Sequence, residues 1–329
     1  MSVLRHWHPV CLSSRLGRRP VMAQVEGHEI VLFRTATGQI GALDNSCVHR
    51  RMRLSCGKVA GEHLVCPYHG WTFNCTGAGE SPGTPKMTAQ APAYDVREEW
   101  NYLWIQQAGS NSPFPDLSVD GFAPVRPLEH TIDAPLEVVL DNFTEAEHVA
   151  SVHSYFGYDL DRMAEVQSHV EPSETEVRVR NSGPQRRIPF PLRWAYAIQT
   201  GDTFHWEWVT RFAPVHVTYD EFWTDPQSGQ QRGVHAKIRI FFYALDDHRT
   251  RLVTFAAFKL PFSPIINQFF LMFRDVARWL VGWEMSRDAD MLAQLADKSP
   301  GIEGMKLSRF DRLLALHRDR IERVYRAGK

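Results

Sequence analysis

The 329-residue chain is poor in cysteine, has no excess of either charge and contains no long apolar run. Each shortage excludes something. Five cysteines cannot staple a chain of this length, so it is not a disulfide-framed fold. Lys and Arg together number 37 against 38 Asp and Glu. With no basic excess to drive counterion release, nucleic acid and anionic membrane are poor candidates as main partners. The most apolar stretch, Leu260 to Phe273, is interrupted by Ser263, Pro264, Asn267 and Gln268 and is too short to cross a bilayer. The N-terminus lacks the charged-then-apolar layout of a secretory signal, so a reducing cytoplasm is the expected compartment. There, clustered cysteines suggest a metal rather than a disulfide.

What remains is ordinary globular composition, 43% hydrophobic and 23% charged. The length suggests roughly two domains. Val21–Val25, Ile30–Arg34 and Ile40–Leu43 read as strands between polar turns, and Ser110–Asp116 reads as a linker punctuated by Pro113 and Pro115. Further on, Pro135–His153 has helical spacing of apolar residues. Strand-like runs follow at Thr175–Arg180, Phe204–Phe212, Val215–Trp223, Val234–Leu245 and Leu252–Phe258. The pattern is helical from Pro264 to about 297 and again from Leu307 to Tyr325. Strands followed by a long helix predict an α+β domain, the helix laid against a curved antiparallel sheet.

Four of the five cysteines fall between 47 and 75, and two of them are paired with histidines: Cys47-Val-His49, then sixteen residues, then Cys66-Pro-Tyr-His69. Zinc in a tetrahedral Cys₂His₂ site is one reading, although a zinc finger expects two paired cysteines followed by two paired histidines. One Cys/His pair on each of two loops suits a two-iron cluster, with thiolates on one iron and imidazoles on the other. Two packed cysteines beside two solvated histidines is the alternative without a metal. Cys56 and Cys75 are left as packing residues.

The run Cys47-Val-His49-Arg50-Arg51, with Leu54-Ser-Cys56-Gly57 and Leu64-Val-Cys66-Pro-Tyr-His69-Gly-Trp71-Thr-Phe73, resembles the Rieske [2Fe-2S] domain of aromatic ring-hydroxylating oxygenases. Val48 departs from the usual proline. Met52 and Tyr68 stand where respiratory Rieske proteins carry a disulfide, so the resemblance is to the disulfide-free type.

A second pattern strengthens it. In Asp141-Asn142-Phe143-Thr144-Glu145-Ala146-Glu147-His148-x₄-His153, one continuous helix would place Asp141, Glu145 and His148 on a common face. His148 and His153 would then lie about 140° apart, and they meet one metal only if the helix bends or ends between them. Two histidines with a carboxylate suggest the facial triad of non-haem Fe(II) oxygenases. The segment resembles the mononuclear-iron motif of the same family. The resemblance implies His148 and His153 as iron ligands, with a distant Asp as the third. Asp288 in Arg287-Asp288-Ala-Asp290 fits that place, and Glu284, one turn earlier, is the substitute. Glu145 matches the family's bridging carboxylate, linking His148 to the His69 of a neighbouring subunit. Asn142 sits where the family keeps a polar residue near the iron.

The resemblance spans essentially the whole chain. It implies a Rieske domain over residues 1–115 holding its cluster on Cys47, His49, Cys66 and His69, then a helix-grip catalytic domain over 116–329. It implies O₂ as co-substrate and a homotrimer. No G-x-G-x-x-G or C-x₄-C-x₂-C motif is present, so electrons are expected from a separate NAD(P)H-dependent reductase, directly or through a ferredoxin. The short chain resembles the α-only branch, which favours monooxygenation: hydroxylation, or O- or N-demethylation, of a hydrophobic or aromatic small molecule. Ring cis-dihydroxylation is the alternative, and a plain Rieske electron carrier is a third.

Overall fold

The structure is a computed structural model and describes residues 3–154, 156–261 and 274–326. Most of the apolar stretch Leu260–Phe273, and the start of the helical pattern after Pro264, lie outside the described residues. No helix among the described residues is long and apolar enough to cross a membrane. The chain divides into two compact units: residues up to Pro115 with Tyr243–Asp246, and the rest from Asp116 onward.

The first unit is all β. A six-stranded antiparallel sheet runs in the order His8–Leu12, Tyr102–Gln107, Ala93–Glu99, Ile40–Asp44, His28–Arg34, Val21–Val25. A smaller five-stranded sheet is built from Lys58–Ala60, His63–Val65, Thr72–Phe73, Ala78–Glu80 and Thr88–Gln90. Val31, Phe33, Leu43, Leu54, Leu64 and Phe73 form the core, and Cys47 and Cys66 are part of it. Ala93–Glu99 and Tyr102–Gln107 were not evident from the pattern. Glu98 and Glu99 end the first of them, and Trp100 and Asn101 between the two both take positive φ and close a tight hairpin.

The second unit is α+β. Eight antiparallel strands form one sheet, whose path runs Ala123–Pro124, Arg249–Lys259, Gln231–Asp246, Val215–Thr224, Thr203–Phe212, Glu176–Pro184, Gln167–Pro172, with Leu128–Ile132 also pairing Arg249–Lys259. The helix Arg274–Ala293 packs against Leu128–Ile132. The C-terminal helical segment is a short turn at Asp311–Leu313, an α-helix at Leu314–Arg320 and a wider turn at Ile321–Tyr325.

One expected element is different. The helix expected over Pro135–His153 is two helices, Leu136–Phe143 and Glu147–Val152. Thr144 ends the first: its hydroxyl donates to the Leu140 carbonyl at 2.6 Å and its own backbone leaves the helical region at φ −129°. Asp141 therefore does not share a face with Glu145 and His148. It turns to the C-terminal helix, where Arg318 donates to both of its oxygens at 3.0 and 2.7 Å.

Candidate metal centres and the cavity beside them

The two Cys/His loops of the first unit are built alike. The Cys47 amide donates to the Met52 carbonyl at 2.9 Å, and the Cys47 carbonyl accepts from the Arg51 amide at 2.7 Å. The Cys66 amide donates to the Trp71 carbonyl at 2.8 Å, and the Cys66 carbonyl accepts from the Gly70 amide at 3.1 Å. In each loop the residue four beyond the cysteine takes a positive φ, 58° at Arg51 and 71° at Gly70. That left-handed residue reverses the chain, which returns each loop to the sheet and presents the histidine at its tip. Asn45 and Glu29 hold the first loop: the Asn45 side chain accepts from the Ser55 amide at 2.8 Å, and Glu29 takes Arg53 bidentately at 2.9 and 2.6 Å.

The result sorts the four side chains. Cys47 and Cys66 are buried and their thiols touch; His49 and His69 are exposed, their rings 4.6 Å apart. Trp71 stacks on His49 at 4.9 Å. Burial pushes the Cys47 thiol up, and the His49 and Arg50 amides, which point at its sulfur, act the other way. Backbone amides aimed at sulfur are what an anionic thiolate or cluster sulfur requires. Thiols inside and imidazoles outside fit a cluster with one sulfur-ligated and one nitrogen-ligated iron. Such a set suits a single tetrahedral zinc less well, because the four donors lie in two layers.

The second constellation converges in the second unit. His148 is the second residue of Glu147–Val152, and His153 follows its last residue with extended backbone at φ −80°, ψ 153°. The helix ends between the two imidazoles, so both swing to one side; the rings lie 5.3 Å apart. Each Nε2 stands 3.4 Å from the same atom, Oδ1 of Asp288. Each Nδ1 is held by a carboxylate behind it: Glu145 on His148 at 2.6 Å and Glu284 on His153 at 2.8 Å. Asn142 donates to Asp288 Oδ1 at 3.1 Å. Glu145 also accepts from the amides of Glu147 and His148, fixing the start of the short helix.

These contacts define what the site needs. With each Nδ1–H donated outward, two Nε2 atoms and a carboxylate oxygen face one point. A proton on Nε2 offsets their repulsion in the metal-free chain, and a bound cation would take its place. Burial alone would lower the His148 imidazole, but hydrogen bonds and charge from Asp288 and Glu145 carry it up to about 9. Burial alone would raise Asp288, yet the two imidazoles and Asn142 hold its carboxyl below the usual range. His148, His153 and Asp288 form a group able to hold a metal ion, their ligand atoms all within 4.8 Å of one another. Glu284 faces His153 from behind and Asp290 is exposed on the same helix.

A cavity of about 670 Å³ opens over this triad. Phe143, Phe156, Trp206, Tyr219, Trp223 and Ile240 are among its walls. Trp206 and Trp223 come to it from neighbouring strands of the sheet. Phe222 instead stacks on His205 and Trp194 is exposed. Nearby arginines are each engaged: Arg178 and Arg180 pair with Glu176 and Glu171, Arg186 donates to the His153 carbonyl, and Arg193 to Thr200.

The two Cys/His loops on their sheets have the form of a Rieske domain, and comparison with known proteins agrees. Residues 6–95 match the family model of the Rieske [2Fe-2S] domain. The 4β-methylsterol monooxygenase of Methylococcus capsulatus is 30% identical over 158 residues, 44% of this chain and 43% of that protein. The phthalate 4,5-dioxygenase oxygenase subunit of Pseudomonas putida is 29% identical over 164 residues, 46% of this chain and 37% of that one. The alignments thus span under half the length of these relatives. Crystalline dicamba monooxygenase bound to 3,6-dichlorosalicylic acid superposes with a TM-score of 0.80 at 16% identity, covering 99% of both chains. The chain carries a Rieske domain followed by a mixed α+β domain, and along its length it shares the fold of dicamba monooxygenase.

Proposed function

We propose that the protein is the terminal oxygenase of a Rieske non-haem iron system and inserts one oxygen atom of O₂ into a hydrophobic or aromatic small molecule. The observation that carries the reading is the convergence of His148 Nε2 and His153 Nε2 on one oxygen of Asp288, beside an apolar cavity. Cys47, His49, Cys66 and His69 would hold the [2Fe-2S] cluster, and His148, His153 and Asp288 the mononuclear Fe(II). When bound, that pair of centres supplies stepwise electron delivery and reductive activation of O₂.

The chain's own residues do the rest. Glu145 and Glu284 fix the tautomer and aim of the two imidazoles. Asn142 steers the Asp288 carboxylate. Three protein ligands on one side leave the opposite positions free for co-substrate. The aromatic walls exclude water and hold the substrate near the triad. Monooxygenation, by hydroxylation or by O- or N-demethylation, is the favoured outcome, as relatives named monooxygenase and demethylase suggest. A separate reductase supplies the electrons. Functionally, residues 1–115 are the electron-entry domain and 116–329 the catalytic one.

Metal analysis tests the proposal: about three irons per chain for the oxygenase, two for a plain carrier and none for a ligand-binding protein. The purified protein is expected to be red-brown and to give a Rieske EPR signal on reduction. A colourless protein with stoichiometric zinc would refute it.

The assembly is proposed as a homotrimer in which Glu145 of one chain reaches His69 of the next. Head-to-tail contacts that close make rings. Glu145→Gln should keep both metal centres and sharply slow single-turnover oxidation of the cluster. A fully competent monomer, or undiminished cluster oxidation in the Gln variant, would overturn the bridge.

A further inference from the structure

The cavity contains a carboxylate that the iron site does not use. Glu221 lies on Val215–Thr224 and lines the cavity together with Tyr219 and Trp223, two residues to either side on the same face of the strand. Across the sheet its partners are Trp206 and Ala236, which line the cavity as well. An acid therefore stands at the centre of an apolar and aromatic patch of sheet. Just beyond it the pairing with Gln231–Asp246 slips, from Glu221 opposite Ala236 to Trp223 opposite Arg232, and Gly233 in that bulge has a φ of 73°. Bulges re-aim side chains beside functional sites.

The Trp206 indole is the hydrogen-bond donor to Glu221, and no Lys or Arg pairs with it among the described residues. The Lys and Arg of the cavity wall, Lys259 and Arg274, have exposed side chains. Burial pushes Glu221 up to about 7, the Trp206 hydrogen bond acting against this and the charges of Asp220 and Glu284 adding to it. A carboxylate in apolar surroundings with a single donor keeps most of its acceptor capacity unused. Trp206 also neighbours His148, ring centroids 6.5 Å apart, so a ligand donor on Glu221 places the adjoining ring beside the triad.

We infer that Glu221 anchors the substrate, and that the ligand class it selects is an apolar ring compound bearing a protonated amine. The inference rests on the reading of this cavity as the substrate chamber. The amine replaces the missing cation, and the aromatic walls take the ring. A carboxylate-bearing ligand would meet Glu221 as a like charge in a poorly solvated place and is selected against. Glu221 acts here in specificity and is separate from the metal ligands.

The test is equilibrium dialysis of the oxidised holoenzyme without reductant, so that no turnover occurs. Three probes share one ring: 2-naphthylmethylamine, 2-naphthylmethanol and 2-naphthoate. The amine should bind about 10-fold or more tighter than the alcohol, as a charge-assisted hydrogen bond provides, and the acid weakest. Glu221→Gln should remove that preference and leave alcohol binding within roughly threefold, since a neutral acceptor remains. Glu221→Asp keeps the charge and should keep the order of the probes, which guards against a misfolded Gln variant; cluster absorbance monitors folding in both. Equal or tighter binding of the alcohol or acid, no binding of any probe, or an amine preference that survives in the Gln variant would overturn the inference. The failures are distinguishable. A protein lacking the mononuclear iron fails the oxygenase reading while dialysis still reports on Glu221, and a three-iron protein indifferent to the amine fails only this inference.

Discussion

Glu284 offers the sharpest test of which carboxylate binds the iron. Its Oε2 accepts from His153 Nδ1 at 2.8 Å, and both side chains are largely buried, 14% exposed for His153 and 10% for Glu284. That distance belongs to the charge-assisted class. A hydrogen bond to a charged group contributes about 1.5–3 kcal/mol, which at about 1.4 kcal/mol per decade is roughly 10- to 150-fold in affinity. Outer carboxylates of ligand histidines typically change metal affinity by about 10- to 100-fold, which agrees. Glu284→Ala should therefore weaken the mononuclear site by one to two decades without emptying it. Glu284→Gln keeps an acceptor and loses only the charge, so its loss should be about fivefold. Asp288→Ala removes a ligand and should empty the site. The assay is iron per chain after dialysis against graded ferrozine, with the Rieske absorbance as internal reference for the other centre. If Asp288→Ala retains the iron that Glu284→Ala loses, or if Glu284→Gln empties the site as completely as Asp288→Ala, Glu284 is the ligand and the assignment to Asp288 is wrong.

Three further outcomes are expected. His148→Ala and His153→Ala should each abolish turnover and leave the Rieske EPR signal unchanged, because Cys47, His49, Cys66 and His69, the proposed cluster ligands, belong to the other compact unit; a lost EPR signal would contradict this. Cys56→Ala and Cys75→Ala should keep full iron content, whereas Cys47→Ser or Cys66→Ser should bleach the protein, as absorbance and iron assay will report. The second unit should be acid-sensitive. His216 and His317 are buried, and burial lowers them to about 4 and about 3. Both stay neutral in the folded state while the unfolded chain takes up protons below about 6.5, so their stability contribution is full above that pH and is lost as pH falls towards 4 and 3. Together they impose up to about 3 kcal/mol per pH unit. Between pH 7.5 and 5 the parent should lose up to about 1.4 kcal/mol per pH unit more stability than His216→Gln, as their urea midpoints will report; equal pH dependence in the two would show that His216 is not neutral when folded.

How much of this was legible in the sequence depends on the range of the interaction concerned. The Rieske loops are local. Each is a cysteine, a histidine two or three residues on, and a turn residue at the fourth position, so a short run of letters carries most of the geometry. His148 and His153 carried a contradiction on their face, because five residues on one helix would set them apart. The structure resolves it by ending Glu147–Val152 between them. The stop after Phe143 depends on a single hydroxyl back-bond from Thr144, which periodicity does not register. Asp141 shows the same limit: its partner Arg318 is 177 positions away. The choice between Glu284 and Asp288 was open because both lie on one helix face one turn apart, buried with Met285 and Leu292. Only the placement of His153 Nδ1 against Glu284 separates a carboxylate that orients a ligand from one that faces the metal position. Glu221 was passed over for the opposite reason. An acid between Tyr219 and Trp223 on an inward-facing strand breaks the apolar alternation, and that break was visible in the letters. What it meant required knowing that the strand floors a cavity rather than packs into a solid core. A charge at such a position is costly unless a ligand compensates it.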